Sequence, residues 1–153
     1  MYKILVTDGG YSHSLGIIRS LNKAGHIVDC IGHKLCLSSF SKFLNKVSYK
    51  QSYFKSEHIT EFIKFLKIEK YDFLIPIGAN SVSLVNRYRE EISKYTTVNL
   101  APQKSINKCL SKADLLNLAK KLNVPIPNNF QKDDFIKSNP NCKFLLNKYV
   151  VKP

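Results

Sequence analysis

The sequence is short of acids, arginine, glycine, proline and long apolar runs, and each shortage excludes something. Its 153 residues include only 6 Gly and 6 Pro, so it is neither collagen-like nor a low-complexity coil. No apolar stretch approaches the roughly 20 residues of a membrane-spanning helix. The opening Met1-Tyr2-Lys3-Ile4-Leu5-Val6-Thr7-Asp8 meets an acid too early for a secretory signal. These two features predict a cytoplasmic protein without a membrane partner. The 4 cysteines, Cys30, Cys36, Cys109 and Cys142, form no C-x-x-C pair, and a cytosolic chain keeps its thiols reduced. A Walker loop, G-x-S-x-G and H-E-x-x-H are all absent.

What is present suits a folded domain. Hydrophobic residues make up 44% and charged residues 23%, and a compact fold of this size buries roughly 68–70% of its unfolded surface. With 24 Lys+Arg against 11 Asp+Glu, the formal net charge is +13, a field that attracts polyanions. Only Arg19, Arg87 and Arg89 are arginines, and the lysines are scattered. Base and phosphate readout favours the arginine fork, so a solvated lysine surface is preferred here over nucleic-acid binding. Cys30-Ile31-Gly32-His33-Lys34-Leu35-Cys36 offers three potential zinc ligands. A structural zinc wants four, and a buried strand explains Cys30 without metal.

Short apolar runs alternate with amphipathic stretches. Ile4-Leu5-Val6 reads as a strand buried on both faces, broken by Gly9-Gly10. A helical stripe of Leu15, Ile18 and Leu21, flanked by Ile17 and Ala24, stops at Gly25, and this register predicts that Leu15→Asp unfolds the first unit. Residues 26–32 and 46–50 read as strands, and a helix opening at Ser56 carries Ile59, Phe62, Ile63 and Leu66. Residues 72–77 form the next strand, then a helix capped by Asn80 or Ser81 runs to Ile92, and residues 96–100 make a fifth strand. Strands interleaved with helices predict an α/β fold, a doubly wound parallel five-stranded Rossmann-like sheet over residues 1–102. After that the pattern changes into the start of a small α+β subdomain, residues 103–153: a short helix, then the capping box Ser111-Lys112-Ala113-Asp114 and a helix bearing Leu115, Leu118, Ala119 and Leu122. Asn123 before Val124-Pro125 marks a left-handed stop, and residues 144–152 read as a strand.

In such a sheet, ligands bind beyond the carboxyl ends of the strands, where the strand order reverses. That rim is supplied by Asp8-Gly9-Gly10, His33, Gly78-Ala79-Asn80 and Ala101. Gly9, Gly10, Gly78 and Asn80 are the candidate contacts to a small substrate, since glycine lets the backbone approach a ligand. The plain alternative for Gly9-Gly10 is a tight strand-to-helix turn. As a dinucleotide fingerprint the spacing fails, because Gly9, Gly10 and Gly16 do not make G-x-G-x-x-G and no acid ends the second strand.

Three stretches together resemble the ATP-grasp superfamily, especially the group similar to the large subunit of carbamoyl phosphate synthase. They are residues 4–10 followed by residues 14–21; Asp72-Phe73-Leu74-Ile75-Pro76 with Asn80 beyond; and Lys112 leading to Pro125 and Pro127 and then Tyr149-Val150-Val151-Lys152-Pro153. Asn123 stands where the family has glycine, and Lys148 where it often has proline. The resemblance implies an N-terminal pre-ATP-grasp domain followed by the beginning of the nucleotide-binding subdomain. It implies that Lys112 and Lys152 reach ATP phosphates, with Lys152 also near the adenine, as suits a mobile point charge. It further implies a ligase that uses ATP and Mg2+ to make an acyl phosphate from a small carboxylate, which an amine then attacks. The family's magnesium-holding acids lie beyond the position of Pro153. The sequence therefore reads as the front portion of a longer or split protein, inactive alone and requiring no cofactor of its own. Two other readings stay open: a non-catalytic nucleotide- or metabolite-binding module, and a basic nucleic-acid-binding domain. A homo-oligomer, or pairing with a C-terminal ATP-grasp part, also stays open.

Overall fold

A computed structural model describes residues 1–33, 35–48 and 56–126. Two compact units divide the chain, Met1–Leu115 and Leu116–Pro153. The change of pattern at residue 102 lies within the first unit, and the expected strand at residues 144–152 lies outside the described residues.

The strands are β1 (Lys3–Val6), β2 (Ile27–Ile31), β3 (Lys46–Ser48), β4 (Phe73–Ile75) and β5 (Thr97–Val98). They form one parallel sheet in the order β3-β2-β1-β4-β5. The helices are α1 (Ser12–Lys23), α2 (Ile59–Glu69), α3 (Ala79–Arg87), α4 (Arg89–Ile92), α5 (Gln103–Leu110) and α6 (Lys112–Lys121). The chain runs outward from β1 to β3, then returns to β1's other side with β4, so the switch point lies between β1 and β4. The Rossmann-like reading is correct.

Alternation along the strands covers both faces. Ile4, Val6, Val28 and Cys30 pack with Ile18 of α1. Leu5, Ile31 and Leu74 pack on the opposite face with Phe62 and Leu66 of α2, Val85 of α3 and Ile92 of α4. Helices on both sides explain why β1 is a continuous apolar run rather than an alternating one. Among the described residues, one acidic side chain enters this core: Asp29, almost fully buried, accepts from Tyr71 Oη at 2.9 Å and from Asn45 Nδ2 at 2.7 Å.

Several elements differ in detail from expectation. In α1 the buried residues are Ser14 and Ile18, and Leu15 is half-buried, so Ile18 and not Leu15 anchors the helix. Gly25 does take the left-handed conformation, at φ +85°. The helix expected to run to Ile92 breaks at Tyr88, and Arg89 at the start of α4 donates from Nη2 to the Ala101 carbonyl at 2.6 Å. The α3 cap is neither Asn80 nor Ser81, since the helix begins after Gly78 without a local side-chain cap. In α6, Ser111 Oγ accepts from the Asp114 N–H at 3.2 Å, which is half of the expected capping box. Asn123 is left-handed at φ +53°, yet α6 buries none of its residues. No helix among the described residues is long and apolar enough to cross a membrane.

Candidate functional site at the sheet switch point

At the carboxyl ends of β1 and β4 the rim is built around Asp8. Its backbone is left-handed, φ +57°, a conformation that Asp and Asn tolerate better than most side chains because they bond locally. Asp8 Oδ2 accepts from the Gly78 N–H at 2.8 Å, from Ser81 Oγ at 2.7 Å and from the neighbouring Thr7 hydroxyl. Thr7 Oγ1 in turn accepts from the Ile77 N–H at 2.9 Å. The carboxylate therefore caps α3 from another strand, seventy positions away in sequence. It satisfies helix-start donors and complements the positive end of the helix dipole. A phosphate placed at this helix start would meet a negative charge already there.

Ser14 fastens the other side of the turn, with Oγ donating to the Asp8 carbonyl at 2.8 Å. The Tyr11 N–H donates to the same carbonyl at 3.1 Å, which starts α1. Gly9 donates to the Ile31 carbonyl at 2.9 Å and accepts from the Ser38 N–H at 2.9 Å, tying β1 to β2 and to the connection that follows.

The candidate rim residues divide by exposure. Gly9 is buried: a Cβ there would stand 2.7 Å from Cys30 Sγ and 3.0 Å from Cys36 Sγ. Gly78 is also buried, its missing Cβ replaced by the Asp8 carboxylate 2.9 Å away. Gly10 and Asn80 are exposed, and a Cβ on Gly10 would meet nothing within 4 Å. Beside Gly10, the rings of Tyr11 and His13 stack at 5.1 Å between centroids. Lys112 is exposed as the first residue of α6, and Lys152 lies outside the described residues.

Sequence reasoning missed the roles of Thr7, Asp8, Ser14 and Ser81. The available signal was an acid one residue beyond a buried strand and directly before a glycine pair, a position where Asp tolerates the left-handed conformation. His33 is exposed while Cys30 and Cys36 are buried, and no group of three His, Cys, Asp or Glu among the described residues could hold a metal ion. Cys30, His33 and Cys36, the three potential zinc ligands of the sequence, do not form one group. Burial, then the nearby Cys36, Asp8 and Asp29, push the Cys30 thiol up to about 12.

No protein-family model matches the chain, and no curated protein matches it. Solved structures do. A glycinamide-RNase-transformylase T from Mycobacterium tuberculosis matches with a TM-score of 0.61 and 15% identity, over 90% of this chain and 38% of that one. An L-amino acid ligase from Bacillus licheniformis matches with a TM-score of 0.62 and 9% identity, over 100% of this chain and 36% of that one. The biotin carboxylase domain of a single-chain bacterial carboxylase matches with a TM-score of 0.61 and 12% identity, over 92% and 34%. The shared property is the fold. The chain spans between 34% and 38% of the length of these proteins.

Proposed function

We propose that this chain is the N-terminal portion of an ATP-dependent carboxylate–amine ligase of the ATP-grasp type, similar to carbamoyl phosphate synthase and working in the cytoplasm. The observation that carries the reading is the five-stranded parallel sheet, whose switch-point rim ends in Asp8 and the α3 start, shared as a fold with proteins of the ATP-grasp family. The order of the sequence stretches that resemble that family supports it independently.

In this reading residues 1–102 hold the acceptor substrate and residues 103–153 begin the nucleotide-binding part. Gly10 and Asn80 supply the exposed surface of the acceptor site, and Gly9 and Gly78 keep its floor close-packed. Asp8 makes that end of the rim anionic, so it suits an amine or hydroxyl of the acceptor better than a carboxylate. Lys112 and Lys152 are the residues assigned to the ATP phosphates by the resemblance. No group of three metal-ligand side chains that could hold Mg2+ is present among the described residues.

The test is phosphate release from ATP by the complete gene product, offered amines with small carboxylates, together with hydroxylamine trapping of an acyl phosphate. Expected are carboxylate-dependent ADP formation, a hydroxamate, and at least tenfold weaker ATP binding by Lys152→Ala with an unchanged melting curve. Wild-type ATP affinity in that variant refutes the assignment of Lys152. Ligand binding without ADP formation favours the non-catalytic module. Salt-sensitive polynucleotide binding indifferent to ATP favours the nucleic-acid domain.

A further inference from the structure

Cys30 and Cys36 lie together under the rim, where they fill space in the core, and the proposed ligase chemistry does not use their sulfurs. Cys30 is the penultimate residue of β2, and Gly32 follows on the same face of the strand. Cys36 Sγ lies 2.8 Å from the point where a Gly32 Cβ would stand, and both sulfurs lie within 3.0 Å of the corresponding point on Gly9. The two sulfurs therefore share one hollow left by two glycines and are less than about 6 Å apart. Ser38 closes the hollow, its Cβ 3.4 Å from the Gly9 point.

Access comes from the Cys36 side. Cys36 is 5% exposed, but Leu35 beside it is 78% exposed, Leu37 46% and Phe40 75%. Such a segment opens locally at far lower free energy than the strand that carries Cys30.

We propose that Cys30 and Cys36 are a reversible dithiol–disulfide pair, oxidised by a small disulfide of the glutathione class. The Cys36 thiol loses its proton to water, and its thiolate attacks one sulfur of oxidised glutathione. That S–S bond breaks, and the expelled glutathione thiolate takes up a proton. The Cys30 thiol then loses its proton and its sulfur bonds to Cys36, expelling the second glutathione. Two protein thiols lose two electrons and two protons, and oxidised glutathione becomes two thiols. Cys36 attacks first because burial keeps the Cys30 thiol protonated at neutral pH. The bond would pin Cys36 to β2 beside Gly9, whose carbonyl already accepts from the Ser38 N–H.

The experiment uses the full 153-residue chain with Cys109→Ser and Cys142→Ser, equilibrated in glutathione redox buffers, acid-quenched, alkylated and weighed intact. Expected is a loss of about 2 Da, reversed by dithiothreitol, since bond formation removes two hydrogens. Trypsin cuts after Lys34, so two peptides should stay joined until reduction. The chain carrying all four cysteines should yield the same joined peptides. The equilibrium constant for closure in the folded protein should exceed that in guanidinium at least tenfold, and Cys30→Ser should stop at one glutathione adduct on Cys36. A folded protein that keeps both thiols free, accumulates glutathione adducts on both, or closes no more readily than the unfolded chain overturns the proposal.

Discussion

Replacing Gly9 by alanine tests the packing under the rim most directly. The new Cβ would stand 2.7 Å from Cys30 Sγ and 3.0 Å from Cys36 Sγ, inside ordinary van der Waals contact. Both sulfurs are buried, and Cys30 is fixed in β2. The clash must therefore be relieved by shifting either a strand or the Cys36 segment. Overpacking of this kind costs about 1–3 kcal/mol. The gain from restricting the unfolded chain offsets about 0.4–1 kcal/mol of that. The net expectation is a loss of up to about 2.6 kcal/mol, centred on about 1 kcal/mol, read as a lowered midpoint in guanidinium denaturation under reductant.

The neighbouring residue supplies the control. A Cβ on Gly10 meets nothing within 4 Å and its φ is not positive, so Gly10→Ala should be neutral or stabilising by up to about 1 kcal/mol. A second-site change isolates the contact: in a Cys30→Ala background, the effect of Gly9→Ala should shrink by about 1 kcal/mol or more, a coupling typical of touching residues. Equal stabilities of the Gly9→Ala and Gly10→Ala variants, or strictly additive effects of Gly9→Ala and Cys30→Ala, would refute the packing argument.

Asp8→Ala removes the acceptor shared by Gly78, Ser81 and Thr7 and puts alanine at φ +57°; loss of a charged cap should cost about 2–4 kcal/mol, and a variant within about 0.5 kcal/mol of wild type would refute the capping role. Ile18→Asp should abolish cooperative melting because Ile18 is fully buried, whereas half-buried Leu15 should tolerate Asp with a lowered midpoint; the reverse order would overturn the α1 register. Burial raises the folded-state Cys30 thiol from 9.0 to about 12 and lifts the Tyr71 phenol above its usual range. Both groups hold their protons more tightly when folded, so their contributions are complete below pH 9 and are lost as pH rises through the folded-state values. Stability should therefore fall from about pH 9 upward by about 1.4 kcal/mol per pH unit for each proton involved, and Cys30→Ala should flatten the first part of that decline in urea denaturation; an unchanged slope would refute the assignment.

The architecture was legible because it rests on local repetition. The apolar run at residues 4–6, the Ile59-Phe62-Ile63-Leu66 face and the glycine stop at Gly25 each record short-range physics, and the structure contains all three. What was not legible depends on residues far apart in sequence. Asn80 and Ser81 are good caps by composition, but the α3 cap comes from Asp8, which no window around residue 80 contains. Gly9 carried the right residue type for ligand approach, yet two sulfurs delivered by β2 and its following segment claim the space. In α6 the capping signal was read correctly, while the apolar face on Leu115 and Leu122 stays exposed, at 43% and 64%.

The position of Asp8 also bears on where phosphate chemistry can take place. In a doubly wound sheet the helix start at the switch point is the usual place for an anion, and a chain of net charge +13 has no general reason to keep a carboxylate there. Keeping one converts the point of highest positive dipole field into a neutralised, three-donor knot between β1, β4 and α3. A phosphate brought to that point would have to displace the carboxylate that already accepts from the Gly78 N–H and Ser81 Oγ, while an ammonium or hydroxyl beside it would gain an acceptor. Within the proposed ligase reading, the rim therefore suits an ammonium or hydroxyl group of an acceptor better than a phosphate.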